Sequence, residues 1–259
     1  MMIVTTGDSP AEAELQRARK IAEQAGIRIV TRGRTSIPKL FSKYGADAVL
    51  IVTQGKVRLF REDQPVLEYH PSMGYVRAKR LLKGEPDPMI DASRAEQGDS
   101  VLDCTAGLGT DSLVFAVRVG PSGLVRALEA SPQLSVLLRE GLSSYEVEKS
   151  SVTEAMRRIE VVNTDHLEYL KSLPDNSFDI VYFDPMFRKP AYDSSAISPL
   201  RTFADARALS EESIREAVRV ARKTVVLKEK KSSGEMERLG FVPDGRNHAK
   251  ITYGVIRID

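Results

Sequence analysis

From about residue 98 onward, the sequence alternates short apolar runs with amphipathic helical patterns. This alternation predicts βα units and a parallel sheet with helices on both faces. The last run, 250–259, follows a short connection and should lie antiparallel to the others. We therefore expect an α/β fold with a doubly wound, Rossmann-like sheet of seven strands and an antiparallel last strand. The five strand candidates before the closing pair (240–245 and 250–259) are 100–105, 124–130, 158–163, 178–184 and 223–229.

The first 85 residues follow a different pattern. Met2–Thr5 reads as a short strand, and Ser9-Pro10 predicts the start of a helix. The segment 47–63 reads as two strands joined by a tight turn. We expect residues 1–85 to form a small α+β domain and residues 86–259 to form the sheet domain.

Two further groups of segments complete the predicted organisation. The segment 84–100 contains a glycine, two prolines and several acids, and it reads as a connection between the two domains. Between the strands of the sheet domain, helical patterns span 110–119, about 131–144, 165–173, about 203–222 and about 233–239.

The composition limits the class of protein. Hydrophobic residues make up 42% of the 259 residues, enough for a real core. No apolar run approaches the roughly 20 residues that span a bilayer, and the amino terminus lacks the features of a signal peptide, so we expect a cytoplasmic protein without a membrane segment. The single Cys104 is expected to serve packing, and three scattered histidines predict no metal site.

The charge distribution is more informative than the total. The formal net charge of +2 is too small to indicate nucleic-acid binding by itself. The basic residues concentrate in four runs, and for any one of them the simplest interpretation is a solvated surface. These runs are 28–43, 77–83, 188–189 and 228–231.

A glycine-rich loop, 103-DCTAGLGTDS-112, follows the first strand of the predicted sheet and opens a helix. Gly107 and Gly109 allow the backbone to turn tightly and to approach a ligand closely. Thr110 and Asp111 are candidate caps of the helix that follows. This arrangement predicts a loop that binds a nucleoside cofactor.

Acidic residues distinguish this loop from a dinucleotide-binding one. Ser112 stands where the dinucleotide fingerprint has its third glycine, and Asp103 would repel a pyrophosphate but suits an amine or sulfonium. Glu129 ends the second strand, where an acid can accept hydrogen bonds from ribose hydroxyls. Asp165, after the third strand, could meet an adenine amino group or cap the next helix. His166 is expected to be a partly exposed residue of that helix start.

The fourth strand ends in an unusual sequence, Asp184-Pro185-Met186-Phe187. The carboxyl edge of such a sheet is where ligands bind. Asp184 and the carbonyl of Pro185 can accept the two N–H groups of an exocyclic amine, which must localise its lone pair before it attacks a methyl sulfonium. Phe187 can stack on a flipped or single-stranded base.

Together these segments resemble the class I S-adenosylmethionine-dependent methyltransferases. More closely, they resemble the bacterial family that methylates a guanine exocyclic amine (N2) in small-subunit ribosomal RNA, which carries D-A-T-A-G-L-G-x-D after strand one and D-P-M-F-P after strand four. Here Arg188 replaces the last proline, and the resemblance covers about residue 70 to the end. It is carried by 103-DCTAGLGTDSLV-114, 128-LEASPQLSVLLREGL-142 and 181-VYFDPMF-187.

The resemblance implies S-adenosyl-L-methionine as cofactor, and ribosomal RNA or the small ribosomal subunit as partner. Its implied catalytic residues are Asp184, Pro185 and Phe187. The implied cofactor site consists of Asp103, Thr105, Ala106, Gly107, Gly109, Thr110, Asp111, Glu129, Ala130, Asp165, His166 and Asp184. The candidate substrate contacts are Arg77, Lys79, Arg80, Arg188, Lys189 and Lys228. The small domain at 1–85 could deliver substrate, mediate homodimerisation or cover one edge of the sheet.

Three other functions remain open at this point. A small-molecule methyltransferase is favoured if Phe187 is buried in the core. A nicotinamide-dependent oxidoreductase would need the third loop glycine that is absent here. A noncatalytic RNA-binding or assembly protein would bind RNA without turnover, and the basic runs fit it as well as they fit an RNA methyltransferase.

Overall fold

The computed structural model describes residues 1–186, 200, 203, 207–244 and 251–258, which form two sheets. The N-terminal sheet has the strand order β2-β1-β3-β4-β5, with β1 parallel to β2 and β3 and the remaining pairs antiparallel. Its elements are β1 (Met2–Thr6), α1 (Glu12–Ala25), β2 (Arg28–Ile29), α2 (Ile37–Tyr44), β3 (Ala48–Thr53), β4 (Lys56–Phe60) and β5 (Leu67–Glu68).

Helix α1 begins later than the sequence predicts. Its N-cap is Ala11, so the expected start at Ser9-Pro10 is wrong. Glu14 reaches back, and its carboxylate accepts a hydrogen bond from the backbone N–H of Ala11 at 2.8 Å. This contact stabilises the helix start without a capping side chain at Ala11.

The second sheet has seven strands in the order β11-β12-β10-β9-β6-β7-β8. Strands β6 to β10 pair in parallel, and β12 is antiparallel to β10. The expected α/β fold, with its antiparallel last strand and smaller N-terminal sheet, is therefore confirmed. The strands are β6 (Ser100–Asp103), β7 (Leu124–Glu129), β8 (Ile159–Asn163), β9 (Phe178–Phe183), β10 (Ala221–Lys230), β11 (Val242–Pro243) and β12 (Ile251–Arg257).

Helices cover both faces of this sheet. The alternation along β9 divides the core, because Ile180 and Tyr182 pack on one face, while Val181 and Phe183 pack on the other. The first face also packs against the N-terminal sheet through one continuous apolar core. Along it lie α3 (Ser72–Leu82), α4 (Pro88–Ser93), α5 (Thr110–Val119), α6 (Pro132–Ser144) and α7 (Ser150–Arg157); along the other lie α8 (His166–Ser172), α9 (Glu211–Val220) and α10 (Glu235–Arg238).

Two local features complete the fold. The predicted connection at 84–100 contains helix α4, which is capped by the Asp87 side chain and has Pro88 in its first turn. Gly141 in α6 contacts the ring of Tyr69, where an added Cβ would lie only 1.9 Å from the ring, so only glycine allows this approach. Among the described residues, no helix has the length and apolar character needed to cross a membrane.

Candidate active site

The glycine loop and the Asp184 segment meet at the carboxyl edge of the seven-strand sheet. They follow the neighbouring strands β6 and β9. The backbone N–H of Asp184 donates to Thr105 Oγ1 at 2.6 Å, and the N–H of Cys104 donates to the carbonyl of Tyr182 at 2.9 Å. Two segments about 80 residues apart in sequence are thus joined by direct hydrogen bonds.

The loop adopts a conformation that requires glycine at two positions. Gly107 and Gly109 have φ angles of 56° and 73°. A Cβ at Gly109 would also lie 2.8 Å from Leu138. Gly109 is the N-cap of α5, and no side chain caps this helix, so the predicted capping role of Thr110 and Asp111 is wrong.

Glu129 braces the loop from the end of β7. One carboxylate oxygen accepts the N–H of Gly107 at 2.9 Å, and the other accepts the N–H of Ser131 at 2.8 Å. A cavity of about 500 Å³, partly open to solvent, lies beside it. Six residues predicted for the cofactor site line this cavity: Thr105, Gly107, Glu129, Ala130, His166 and Asp184.

Asp103 lies beneath the cavity rather than in its wall. Its side chain is buried, accepts a hydrogen bond from the hydroxyl of Ser112, and accepts another from the N–H of Thr105 at 3.1 Å. Burial raises the pKa of the Asp103 carboxyl to about 7, and the charges of Asp111 and Asp184 act in the same direction. In this structure Asp103 supports the loop from below.

Lys228 joins two of the acidic residues. Its ammonium lies 2.7 Å from Asp184 Oδ2 and 3.0 Å from Asp111 Oδ2. The hydroxyl of Tyr182 also donates to Asp111 Oδ2, at 2.7 Å. The sequence predicts Lys228 as a substrate contact. In the structure its ammonium instead pairs with two carboxylates inside the protein, and it holds Asp184 in position.

The charges of this cluster shift its ionisation. Burial raises the pKa of Asp184 to about 7, and the nearby Asp111 carboxylate adds to the rise, while Lys228 opposes it. Burial opposes ionisation of Asp111 as well, but Lys228 and Arg77 hold its pKa well below the usual range. Burial lowers the pKa of Lys228, yet the two carboxylates outweigh it and raise that pKa above its ordinary value.

Arg77 also differs from its predicted role as a phosphate contact. Its guanidinium forms a two-pronged pair with Asp87, both bonds at 2.8 Å, and it donates a further hydrogen bond to Asp111. The side chain is largely buried. Burial disfavours its charge, but Asp87 and Asp111 raise the pKa of Arg77 above its usual value. Arg77 therefore ties helices α3, α4 and α5 together.

The remaining predicted contacts lie in three places. Lys79 lies over the ring of Tyr75, with its ammonium 4.6 Å from the ring centroid. Arg80 is exposed and forms a surface pair with Glu85 at 2.6 Å. Three predicted residues fall outside the described residues: Phe187, Arg188 and Lys189.

Asp165 and His166 begin helix α8. The Asp165 carboxylate caps this helix through the N–H groups of Leu167 and Glu168, and Arg207 pairs with it at 2.5 Å. His166 is partly exposed, and its Nε2 lies 3.0 Å from the hydroxyl of Ser213. Arg207 also lines the cavity. No sequence motif marks Arg207, since it lies in an irregular segment just before α9 and reaches the site only through the fold.

A substitution of Glu129 tests whether this cavity binds the cofactor. Replacing Glu129 with alanine removes the acceptor that holds Gly107 and Ser131, and hydrogen bonds to charged groups contribute about 1.5–3 kcal/mol. We expect cofactor affinity to fall about 10- to 150-fold, measured by titration calorimetry. The Glu160→Ala variant, which removes an exposed acid on β8 paired with Arg126, should bind as tightly as the wild type. Equal affinities in both variants would contradict a role for Glu129.

The chain is similar to known methyltransferases along most of its length. The family model described as "Putative SAM-dependent methyltransferase" matches residues 37–246. "Uncharacterized protein YpiP" of Bacillus subtilis is 40% identical over 255 residues, covering 98% of this chain and 99% of that protein.

A second group of relatives is described by activity. "Ribosomal RNA small subunit methyltransferase J" of Actinobacillus succinogenes is 31% identical over 176 residues, which are 64% of this chain and 65% of that protein. The crystal structure of the methyltransferase NGO1261 from Neisseria gonorrhoeae superimposes with a TM-score of 0.66 at 20% identity, covering 98% of this chain and 95% of that one, and shows the same fold. The chain belongs to the family of S-adenosylmethionine-dependent methyltransferases.

Proposed function

We propose that this methyltransferase transfers a methyl group to an exocyclic amine of a base in ribosomal RNA, with guanine N2 as the target. The observation that carries the proposal is the position of Asp184 in the wall of the cavity, with one carboxylate oxygen held by Lys228. The other oxygen, Oδ1, has no hydrogen-bond partner among the described residues, and the side chain is about one quarter exposed.

The cofactor is S-adenosylmethionine, which supplies an activated methyl group on a sulfonium. The cavity fits its chemistry, because Glu129 and Asp184 place negative charge beside it and Gly107 leaves room for close approach. The Glu129 carboxylate, which accepts the backbone N–H groups of Gly107 and Ser131, is the group that we assign to a ribose hydroxyl.

Asp184 acts on the substrate amine. Its free Oδ1 accepts one N–H and the carbonyl of Pro185 accepts the other, which favours a localised lone pair directed at the methyl group. Lys228 fixes the carboxylate so that this acceptor is already oriented when substrate arrives. After the amine nitrogen forms its bond to the methyl carbon and the carbon–sulfur bond breaks, the surplus amine proton passes to solvent or to Asp184.

The choice of ribosomal RNA is supported by the relatives. Proteins named ribosomal RNA small subunit methyltransferase J are 27–31% identical to this chain over 64–69% of its length in two species. The D-P-M-F segment, with its planar residue after the acid, also suits a base that stacks beside the cofactor. These features favour a base over a small aliphatic amine.

The proposal is tested by following labelled methyl groups. Total RNA, isolated small ribosomal subunits, DNA and protein are each offered to the enzyme with labelled S-adenosylmethionine. We expect label in small-subunit ribosomal RNA, at a guanine located by nuclease digestion and mass spectrometry. Label in none of the polymers, despite measurable cofactor binding, would favour a small-molecule substrate or a noncatalytic RNA-binding protein.

The pH dependence of the same assay tests the state of Asp184. Because the amine is bound by the carboxylate, we expect transfer to decline as pH falls through about 7, the raised pKa of Asp184. The raised pKa of Asp184 also affects the stability of the fold, because the folded state favours the protonated carboxyl. This contribution to the free energy of unfolding is fully present below pH about 4 and is lost as pH rises through 7. The rate is measured from pH 5.5 to 9; a flat acid limb, or the same limb in the Asp184→Asn variant, would contradict the assignment.

A further inference from the structure

We propose that one end of the N-terminal sheet, carrying Arg28, Lys43 and Tyr44, is the docking surface for the RNA that flanks the target nucleotide. We call this surface the basic end. The inference rests on the proposed function and deepens it, because it assigns an RNA-binding role to a surface outside the cofactor site.

The basic end is unusual in its charge. Residues 28–44 contain five basic side chains and no acidic one. Arg28 and Lys43 are exposed, and neither has an acidic partner within salt-bridge distance in the described part of the chain. Many other surface cations are neutralised by carboxylates, such as Arg58 by Glu68 at 2.6 Å.

The cations of the basic end are held by an aromatic ring. The guanidinium carbon of Arg28 lies 5.3 Å from the centroid of the Tyr44 ring, and the ammonium of Lys43 lies 5.1 Å from it. A cation–π contact orients a side chain without cancelling its charge. Tyr44 thus holds the side chains of Arg28 and Lys43 close together. Because these side chains are already ordered, less conformational entropy is lost when a polyanion binds to them.

Strand register relates Arg28 to Phe60 across the N-terminal sheet. Arg28, Ile3, Val49 and Phe60 form one row across β2, β1, β3 and β4. Three strand spacings separate Arg28 from Phe60, which is about 14 Å. Arg61 follows Phe60 directly, so a second arginine lies next to the far end of this row, whose middle residues Ile3 and Val49 are buried.

Arg61, next to the far end of this row, lines a second cavity. The guanidinium of Arg61 lies 5.7 Å from the centroid of the Phe203 ring. Both side chains line this cavity of about 410 Å³ together with Gln133. Gln133 Oε1 accepts a hydrogen bond from the hydroxyl of Ser131 at 3.1 Å, and the backbone N–H of Ser131 donates to Glu129 in the cofactor cavity.

This geometry favours a nucleic-acid strand over other anionic partners. A strand bound at the basic end would contact phosphates through Arg28 and Lys43 and, about 14 Å further across the sheet, would reach the position of Phe60 and Arg61. Two acidic residues lie near the row, and each already has a cationic partner. Asp47 pairs with the amino terminus at 2.8 Å, and Asp8 pairs with Arg32 at 3.3 Å. An anionic lipid surface would contact the same two cations, but it carries no base that could accept a methyl group.

The test removes the two charges together. The Arg28→Gln/Lys43→Gln variant is compared with Lys171→Gln/Arg215→Gln, which loses two exposed cations from α8 and α9 on the opposite face of the sheet. The probe is a fluorescent single-stranded RNA of about 20 nucleotides, titrated by anisotropy at several salt concentrations. Cofactor affinity serves as the check of folding. A conservative variant, Arg28→Lys/Lys43→Arg, should restore binding.

We expect the first variant to lower the slope of log affinity against log salt by about 1.4, because each single-strand phosphate contact contributes about 0.7. Its KM for ribosomal RNA should rise while kcat is unchanged. The control and the conservative variant should match the wild type in both assays.

Three results would overturn the proposal, and they can be distinguished from one another. If the wild type methylates RNA and the first variant binds and methylates it equally well, the docking surface is wrong and the proposed function stands. If the wild type neither binds nor methylates RNA, both fail. Binding of vesicles containing anionic phospholipid through Arg28 and Lys43, without binding of RNA, would assign the surface to a membrane instead.

Discussion

Replacing Asp184 with alanine is expected to reduce methyl transfer by about 10²- to 10³-fold or more, the loss typical when one group that stabilises a transition state is removed. The alanine variant loses the acceptor for the amine. It leaves Lys228 paired with Asp111, so the free energy of unfolding should change little, and rates are compared at saturating cofactor because the charge of Asp184 beside the cavity is also lost. The rate is measured with labelled S-adenosylmethionine and the RNA that the wild type methylates.

The Asp184→Asn variant separates two contributions of this residue. An asparagine keeps one carbonyl oxygen as an acceptor but cannot balance the charge of Lys228. We expect a rate between those of the wild type and the alanine variant. If the alanine variant transfers methyl groups as fast as the wild type, Asp184 has no role in the reaction. If the alanine and asparagine variants are equally slow, the acceptor oxygen that asparagine keeps does not contribute to the rate.

The sheet could be predicted from the sequence because its strands are buried on both faces. Buried parallel strands form apolar runs that end at the ligand-binding edge, so the 178–184 run predicted β9 to within one residue. Strand β10 begins at Ala221, two residues earlier than the expected 223. The antiparallel β12 was predictable from its short connection.

Several helices could not be placed by the same signals. Helix α4 lies in a segment rich in prolines and acids, which resembles a connection, although Asp87-Pro88 is a good helix start in hindsight. Gly109 caps α5 because the loop needs a positive φ angle there, which overrides the capping preference of Thr110 and Asp111. The predicted helix at 203–222 begins at Glu211, behind a Ser210 cap.

The pairing of charges in the site is invisible to sequence spacing. Sequence motifs placed Asp111 and Asp184 near the same edge, but they assigned Lys228 and Arg77 to the substrate. Lys228 reaches Asp111 across 117 residues and Asp184 across 44. The parallel pairing of β6 with β9 and of β9 with β10 brings these side chains together. Basic residues near an active site therefore divide into those facing the substrate and those neutralising buried acids, and the fold decides between them.

Arg77 is expected to show the largest effect on stability. The Arg77→Met variant leaves Asp87 and Asp111 without the guanidinium that pairs them, and breaking a buried ion pair from one side costs about 3–5 kcal/mol. Asp87 would keep its helix-capping bonds, so the loss falls on the packing of α3, α4 and α5. We expect the free energy of unfolding in urea to fall by this amount, measured without RNA or cofactor.

Arg80, one helical turn further along α3, provides the matched control. It is exposed and pairs with Glu85 at the surface, so Arg80→Met should lower the free energy of unfolding by less than about 1 kcal/mol. If Arg77 instead contacts RNA phosphates, the two variants should be equally stable and Arg77→Met should weaken RNA binding. A large loss of stability with RNA affinity per folded molecule unchanged would establish that this cation serves the protein's interior, because a phosphate contact contributes nothing when RNA is absent.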